Sequence, residues 1–314
     1  MSSSPRPAAP AGTWRIGRVA NVDVLIKPSL LVLAVVLVSV LAPRFEDRTD
    51  SNPYVLATAF VVALYISVLV HELAHVVVAR AFRMRVHSVT LNLLGGETAI
   101  EGESRTPWQE LATAGSGPLA SLAIGMAGFL AESHTTGTMS SIIYSTAYVN
   151  IILAIFNMLP GLPLDGGRVF RAIIWQVTGG EEIGIRIAAW LGRVAAVGVV
   201  VLVFVRYEGG RQLSIDLLVA ALIAWFLWQG ASDALRNASR SSRINMLVAR
   251  DIALAGAPAP DGAASLPASL QGAELLRAMA ARPADVYVLT EPDGSIYGVL
   301  SSQAVDDAYR ESRR

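Results

Sequence analysis

The stretch of sequence that decides the fold runs from Tyr54 to Ala79 and reads YVLATAFVVALYISVLVHELAHVVVA. Its only charged or imidazole side chains are those of His71, Glu72 and His75. A helix that crosses the hydrocarbon core of a bilayer needs about 20 apolar residues. The stretch therefore predicts a membrane-spanning helix, and ionisable side chains in such a helix are costly and usually functional.

The composition of the whole chain agrees with a membrane protein. Of its 314 residues, 53% are hydrophobic and 16% are charged, and 25 basic side chains balance 25 acidic ones. A soluble domain carries about 25% charged residues. A net charge of zero gives no electrostatic reason to expect a nucleic acid partner. Because the chain has no cysteine, any metal ion must be held by His, Asp or Glu.

Further apolar stretches extend the membrane interpretation to six spanning helices. The six are 29–42, 54–79, 111–131, 142–160, 187–205 and 213–229. Lys and Arg cluster before the first stretch and after the second, fourth and sixth. Because cytoplasmic loops carry the excess of Lys and Arg, we expect a multi-pass protein of the cell membrane with both termini in the cytoplasm.

Residues 86–106, between the second and third stretches, are too polar for a helix in lipid. Residues 89–93 and 98–100 alternate apolar and polar side chains around Gly95 and Gly96, which predicts a re-entrant hairpin. Residues 16–26 alternate as well and are expected to pair beside it. Extended backbone at membrane depth must be buried in protein or line a wet cavity.

The sequence predicts four regions. Residues 1–13 are rich in Ser, Pro and Ala and are expected to be disordered, 14–235 form the transmembrane domain, 236–268 a linker, and 269–314 a small cytoplasmic α/β module. In the module we expect helices at 270–281 and 303–310 and strands at 285–290 and 296–301. The predicted fold class is thus mainly α, a polytopic membrane protein with a small sheet and a C-terminal α/β module.

The segment His71-Glu72-Leu73-Ala74-His75 has the HExxH pattern. On a helix the two histidines lie on one face, about 6 Å apart along the axis, so both imidazoles can bind one zinc ion. Glu72 flanks this face and can reach a water molecule without binding the metal, as a catalytic base does. The alternative is a chance pattern of two core histidines.

A catalytic zinc ion needs a third protein ligand. The strongest candidate is Asp165, in NMLPGLPLDGGR, where Pro160 and Pro163 break the fourth helix and leave backbone that can turn Asp165 inward. Asp165 is equally suited to cap the helix that begins near Arg168, and the residues alone leave both roles open. Weaker candidates are His87, His134, Glu97, Glu101 and Glu103.

Together, the HExxH helix and Asn157–Gly167 resemble the site-2 protease family of intramembrane zinc metalloproteases, whose second element reads FN-x-x-P-x-x-PLDGG. The resemblance implies that Asp165 is the third zinc ligand and that Asn157, Pro160 and Pro163 help to position an unwound substrate. Ser121 departs from the family, which often has Asn there after its Gly-Pro pair.

Two more features bear on substrate positioning. The hairpin around Gly95 and Gly96 offers an edge strand onto which an extended substrate can add. Asn150 and Asn157 lie seven residues apart, on one helix face, and could hold substrate carbonyl groups. The alternative for each asparagine is a hydrogen bond between helices.

The C-terminal module resembles a single CBS motif, and the branch of site-2 proteases with fused CBS modules is the best overall match. Ala304 stands where the nucleotide-binding pattern of paired CBS motifs has a ribose-contacting Asp. We therefore expect a packing or homodimerisation module without a bound adenine nucleotide.

The function expected from these features is that of an intramembrane protease with one Zn²⁺ ion. It would hydrolyse a peptide bond in or near the transmembrane segment of a membrane protein, as in regulated intramembrane proteolysis. Its partners would be that substrate and the lipid bilayer. Two alternatives are an inactive zinc-binding receptor or scaffold and a metal or ion transporter. Transporters often show internal repeats and charged residues along a path, and the sequence shows neither.

Overall fold

The computed structural model describes residues 12–19, 22–43, 45, 52–92, 95–101, 104–205, 213–258, 260 and 262–312. For 95–101 and 213–216 it describes the backbone without the side chains. The predicted disordered segment 1–13 lies almost wholly outside these residues. Contacts divide the chain into two compact units, Met1–Ala234 and Leu235–Arg314.

The first unit is mainly helical. Its helices are α1 (Pro28–Leu41), α2 (Pro53–Ala81), α3 (Pro107–Glu132), α4 (Gly137–Asn157), α5 (Asp165–Thr178) and α6 (Glu181–Val205), and α7 (Leu213–Asn245) begins in it and runs into the second unit. Among the described residues, α2, α3, α4, α6 and residues 217–245 of α7 are long and apolar enough to cross a membrane. The chain is therefore a multi-pass membrane protein.

The predicted first span does not reach spanning length. Helix α1 has 14 residues, which at about 1.5 Å each give about 21 Å of helix against a hydrocarbon core of about 30 Å. The structure thus supports five spanning helices and leaves the expected sixth unconfirmed. The last spanning helix continues to Asn245, well beyond its predicted end at 229.

Helices α2 and α3 both begin with a proline that follows an N-cap residue, whose side chain accepts a backbone hydrogen bond. Asn52 accepts a hydrogen bond from the Tyr54 N–H, and Pro53 follows as the first residue of α2. Thr106 accepts one from the Gln109 N–H before α3. Both are common N-terminal arrangements, because a first-turn proline has no N–H to leave unpaired.

A four-stranded sheet packs against α2. Its strands are β1 (Trp14–Val19), β2 (Val22–Ile26), β3 (Arg85–Asn92) and β4 (Gly95–Glu101), in the order β1-β2-β3-β4. Strands β2 and β3 are parallel and the other pairs antiparallel. Val22 and Val89 of the sheet and Val76 and Ala79 of α2 form one buried cluster. The expected hairpin and the pairing of 16–26 beside it are therefore present.

The glycine pair was expected between the two strands of the hairpin, and that placement is wrong. Gly95 and Gly96 are the first residues of β4, where they pair with Asn92 and Leu91. Two residues, 93 and 94, separate the strands, which is enough for a tight hairpin. Strand β4 is an edge strand of the described sheet, as expected.

The second unit contains a smaller sheet. Its strands β5 (Leu254–Ala255), β6 (Ala264–Pro267), β7 (Val286–Thr290) and β8 (Ile296–Ser301) are ordered β5-β8-β7-β6, and the helices are α8 (Ala249–Ile252), α9 (Gly272–Ala281) and α10 (Ser302–Glu311). Asp293 closes the β7–β8 turn by accepting hydrogen bonds from the Ser295 hydroxyl and N–H, which lower the pKa of Asp293.

The helices and strands predicted for the module lie within one or two residues of those observed. The predicted linker 236–268 differs from the structure, because it contains the end of α7, helix α8 and strands β5 and β6. The buried cluster of this unit includes Leu247 and Leu266 from that range together with Leu275, Leu289 and Leu300. Those linker residues are needed to complete the small core.

Candidate metal centre

The two histidines of the HExxH pattern lie on one face of α2 and are 4% and 3% exposed. Their ring centroids are 5.0 Å apart. The Nε2 atoms of His71 and His75 lie 3.1 Å and 3.3 Å from the same atom, Oδ2 of Asp165. Residues 94 positions apart in the chain thus bring two nitrogen ligands and one oxygen ligand to one point.

Hydrogen bonds at the other ring nitrogens orient both imidazoles. The Nδ1 atom of His75 lies 2.7 Å from the Thr113 carbonyl oxygen. A carbonyl can only accept, so Nδ1 of His75 carries the proton, and the neutral ring keeps its lone pair on Nε2. Nδ1 of His71 lies 2.9 Å from the Ser121 hydroxyl. Metal-binding histidines in proteins are held in this way.

The donor set fits a zinc ion. Two imidazole nitrogens and one carboxylate oxygen form a known ligand set of catalytic zinc sites, which leave the fourth position to water. When both imidazoles are neutral and carry the proton on Nδ1, the lone pairs of both Nε2 atoms face Oδ2 of Asp165, an arrangement that a cation held by all three groups would stabilise. Because the sequence has no cysteine, it could have supplied no thiolate ligand.

Gly117 of α3 makes room for this cluster. A Cβ atom added at Gly117 would lie 2.3 Å from Nε2 of His75 and 2.5 Å from Nε2 of His71. Ordinary van der Waals contact begins at 3.4 Å. Only glycine therefore allows α3 to pass so close to the two imidazoles.

Asp165 is positioned by the segment that joins α4 to α5. It is the first residue of α5, and the N-cap residue Leu164 has no side-chain capping hydrogen bond. The carboxylate of Asp165 turns toward the histidines, so the capping alternative does not describe it. The Leu162 N–H donates to the Ala188 carbonyl of α6, which anchors the segment. Gly192 allows this close packing, because a Cβ there would lie 2.0 Å from the Leu162 oxygen.

A buried carboxylate outside the HExxH pattern supports the same segment. Glu110 of α3 is 2% exposed and accepts hydrogen bonds from the Ser104 hydroxyl and from Nε of Arg168, at 2.6 Å and 2.9 Å. It also forms an ion pair with Arg171. Arg168 in turn lies 3.8 Å from Oδ1 of Asp165. Glu110 was not predicted as a site residue, because its partner Arg168 lies 58 positions away in the chain.

Glu72 lies beside the two candidate histidine ligands. It is 7% exposed, and one of its carboxylate oxygens lies within 4.8 Å of a ring nitrogen of His71 and of His75. This places an acid–base group next to the metal position, as the helix spacing predicted. The weaker ligand candidates His87 and His134 are exposed and lie outside this cluster. Glu103 and the side chains of Glu97 and Glu101 lie outside the described residues.

The proposed substrate-positioning residues differ in their surroundings. Asn150 is fully buried, and its side-chain amide donates to the Ser67 hydroxyl of α2 and to the Thr146 carbonyl. This is the interhelical alternative, because a residue with no exposed surface cannot reach a substrate without movement. Asn157 ends α4 and is partly exposed, Pro160 is exposed, and Pro163 is partly buried beside Gly230 of α7.

Ser121 stands where the site-2 protease family often has Asn, and it contacts a candidate ligand. Its hydroxyl lies 2.9 Å from Nδ1 of His71. Serine is shorter than asparagine but still offers an oxygen at hydrogen-bonding distance. The side chain is fully buried. Ser121 therefore belongs to the site as a residue that orients a candidate ligand.

Comparison with known proteins agrees with this geometry. The model of peptidase family M50 matches residues 59–136 and 123–204. The chain is 32% identical over 307 residues to sll0528 of Synechocystis, named as a zinc metalloprotease, an alignment that covers 93% of this chain and 76% of that protein. The chain belongs to peptidase family M50. It is also 37% identical over 228 residues to Rip3 of Mycobacterium tuberculosis, again named as a zinc metalloprotease, covering 69% of this chain and 57% of Rip3.

The fold of this M50 chain is also similar to that of a solved structure. The site-2 protease from Methanocaldococcus jannaschii superposes with a TM-score of 0.53 and 22% identity, covering 71% of this chain and 95% of that one. At this identity the likeness concerns the fold. Together with the named relatives, it supports an intramembrane zinc metalloprotease of the site-2 type.

Proposed function

We propose that this M50 chain cleaves membrane proteins with one Zn²⁺ ion held by His71, His75 and Asp165, and with Glu72 as the general base. The observation that carries the assignment is the convergence of two Nε2 atoms on one carboxylate oxygen, with Glu72 within 4.8 Å of both histidines. When bound, zinc supplies Lewis acidity that lowers the pKa of water and stabilises negative charge.

The protein's own groups perform the proton transfers. Glu72 accepts a proton from the attacking water and returns it to the nitrogen of the leaving amine. Thr113 and Ser121 hold the two imidazoles in place, so the ligands need not reorganise during the reaction. The buried surroundings of Glu72 strengthen its electrostatic interactions, since little water screens them.

A transmembrane substrate must unwind before its carbonyl groups can react, because a helix engages them in hydrogen bonds. In the described sheet, edge strand β4 has a strand partner on one side only, and we propose that an extended segment adds to its other side, starting at Gly95 and Gly96. Asn157, Pro160 and Pro163 lie in or next to the segment that carries Asp165 and are proposed to guide the same extended chain. Asn150 is assigned instead to the contact between α4 and α2.

We also propose the orientation and the role of the second unit. Basic residues follow α2 and α4, which supports placing the metal centre toward the cytoplasm, with both termini on that side. Residues 269–314 have the order helix, strand, strand, helix of a single CBS-like motif and are proposed to mediate packing or homodimerisation. Because Ala304 replaces the ribose-contacting Asp, no adenine nucleotide is expected there.

Reconstitution in liposomes tests the proposal. Wild-type protein should contain one zinc ion per chain and cleave synthetic single-span peptides, and Asp165→Ala should lose both zinc and cleavage. Asp306→Asn is the matched control, because Asp306 is an exposed carboxylate of the second unit, and it should behave as wild type. Zinc flux into the liposomes without cleavage would favour the transporter alternative, and bound zinc with neither activity would favour the inactive receptor.

A further inference from the structure

An apolar cavity of about 230 Å³ lies among α1, α2, α4 and strand β3. Helix α2 contributes Leu64, Tyr65 and Val68 to its lining, α4 contributes Leu153, and β3 contributes Leu91. The Tyr65 hydroxyl donates to the Leu30 carbonyl of α1 at 3.1 Å, so its polar group is already paired. The cavity is therefore suited to an apolar occupant.

The cavity begins one helical turn from the proposed catalytic base. Val68 precedes Glu72 by four residues and Leu64 precedes it by eight, so all three lie on one face of α2. Their distances from Glu72 along the axis are about 6 Å and about 12 Å. On α4, Leu153 stands in the same relation to Asn157, which ends the helix. The cavity lining thus lies about one to two helical turns from Glu72 on α2, and about one turn from the end of α4.

Strand β3 connects the cavity to the edge where a substrate would add. Leu91 and Asn92 line the cavity, and they pair with Gly96 and Gly95 of β4. The two glycines have no side chains that could cover this end of the sheet. An extended segment added to β4 would lie one strand beyond the end of β3 that lines the cavity.

The size of the cavity limits what it can hold. Pockets for small-molecule ligands have volumes of about 300–1,000 Å³, so 230 Å³ is too small for most of them and suits a single large side chain. An extended chain advances about 3.3 Å per residue, so a span of about 6–12 Å from Glu72 corresponds to about two to four residues.

We propose that this cavity is a specificity subsite for a large aliphatic or aromatic side chain of the substrate, about two to four residues from the scissile bond. The inference rests on the proposed proteolytic function and adds a basis for its substrate specificity. Substrates would be chosen by one bulky apolar residue next to a segment that unwinds.

A panel of synthetic single-span peptides in liposomes tests the subsite. Each peptide carries Ala, Leu or Phe at one of the six positions on either side of the cleaved bond, and mass spectrometry identifies the products. Wild-type protein should prefer Leu over Ala at one position by about five- to tenfold, less than in water because lipid tails compete with the cavity. Val68→Phe, which fills the cavity, should abolish the preference at that position only.

The control is Ile66→Phe, the same enlargement on the same helix at a residue that is 58% exposed, and it should keep the preference. Val68→Ala enlarges the cavity and should move the preference toward Phe. If Val68→Phe fails to fold, Val68→Ala alone decides. The proposal is overturned if the Val68 variants show the same preference among Ala, Leu and Phe as the wild type. It is also overturned if a phospholipid chain crosslinks at Val68 while that preference stays unchanged, because a lipid then occupies the cavity. If wild-type protein cleaves no peptide, the proposed function itself fails, and the subsite fails with it.

Discussion

Gly117→Ala tests the packing on which the metal centre depends. The added methyl group would lie 2.3 Å from Nε2 of His75 and 2.5 Å from Nε2 of His71, where contact normally begins at 3.4 Å. One helix or both imidazoles must therefore move by about 1 Å. Zinc–ligand distances vary by only about 0.2 Å in functional sites, and a misplacement of about 1 Å costs about 100-fold in activity. We expect zinc affinity and cleavage each to fall by about 100-fold or more.

Gly115→Ala is the matched control. A Cβ at Gly115 meets no atom within 4 Å, and the residue lies on the same helix two positions away. Both substitutions improve helix propensity by up to about 1 kcal/mol, so neither should prevent α3 from forming. The assay titrates purified protein with a zinc chelator and measures the zinc retained, together with cleavage of the synthetic peptides. Wild-type zinc affinity in Gly117→Ala, or an equal loss in Gly115→Ala, would show that the close contact at Gly117 does not control the metal centre.

Three further substitutions examine the groups around the ligands. Glu110→Gln removes the buried negative charge that pairs with the guanidinium groups of Arg168 and Arg171, and should lower the free energy of unfolding by about 3 kcal/mol. The loss would be measured as a lower Tm and as weaker zinc retention. An unchanged Tm would contradict this role. Gly192→Ala should destabilise the segment before α5 by about 1–3 kcal/mol, while Gly198→Ala, with nothing within 4 Å, should unfold at or above the wild-type temperature. Ser121→Ala should weaken zinc binding by about tenfold, because the His71 imidazole loses the hydroxyl that orients it. Ser121→Asn keeps a side-chain oxygen and should bind zinc as tightly as the wild type. Equal zinc affinity in the wild type and both variants would exclude an orienting role for Ser121.

The features predicted from the sequence are those that depend on residues close together in the chain. The HExxH spacing places two imidazoles on one helix face whatever surrounds the helix, and their convergence follows from helix geometry. Apolar length predicted the spanning helices from α2 onward. For the first stretch the structure leaves the predicted span unconfirmed. Helix α1 has 14 residues, about as many as the apolar stretch itself, and this is short for a helix that crosses the bilayer.

The roles that the residues alone left open, or did not indicate at all, depend on contacts between distant segments. Asp165 could equally have capped α5, and only the fold, which carries it to α2, distinguishes the two roles. Asn150 has the same residue type and helical spacing whether it faces a substrate or Ser67. Gly117 and Glu110 act through neighbours on α2 and α5, so neither role has a pattern in the chain itself.

The most direct test of the central claim is Glu72→Gln, with zinc content and peptide cleavage measured on the same reconstituted sample. Glutamine keeps the shape of the side chain but cannot accept the proton from water. We expect zinc to stay at one ion per chain while cleavage is lost, because Glu72 is proposed to act as the base and His71, His75 and Asp165 to hold the metal. Cleavage at the wild-type rate by Glu72→Gln would contradict this assignment.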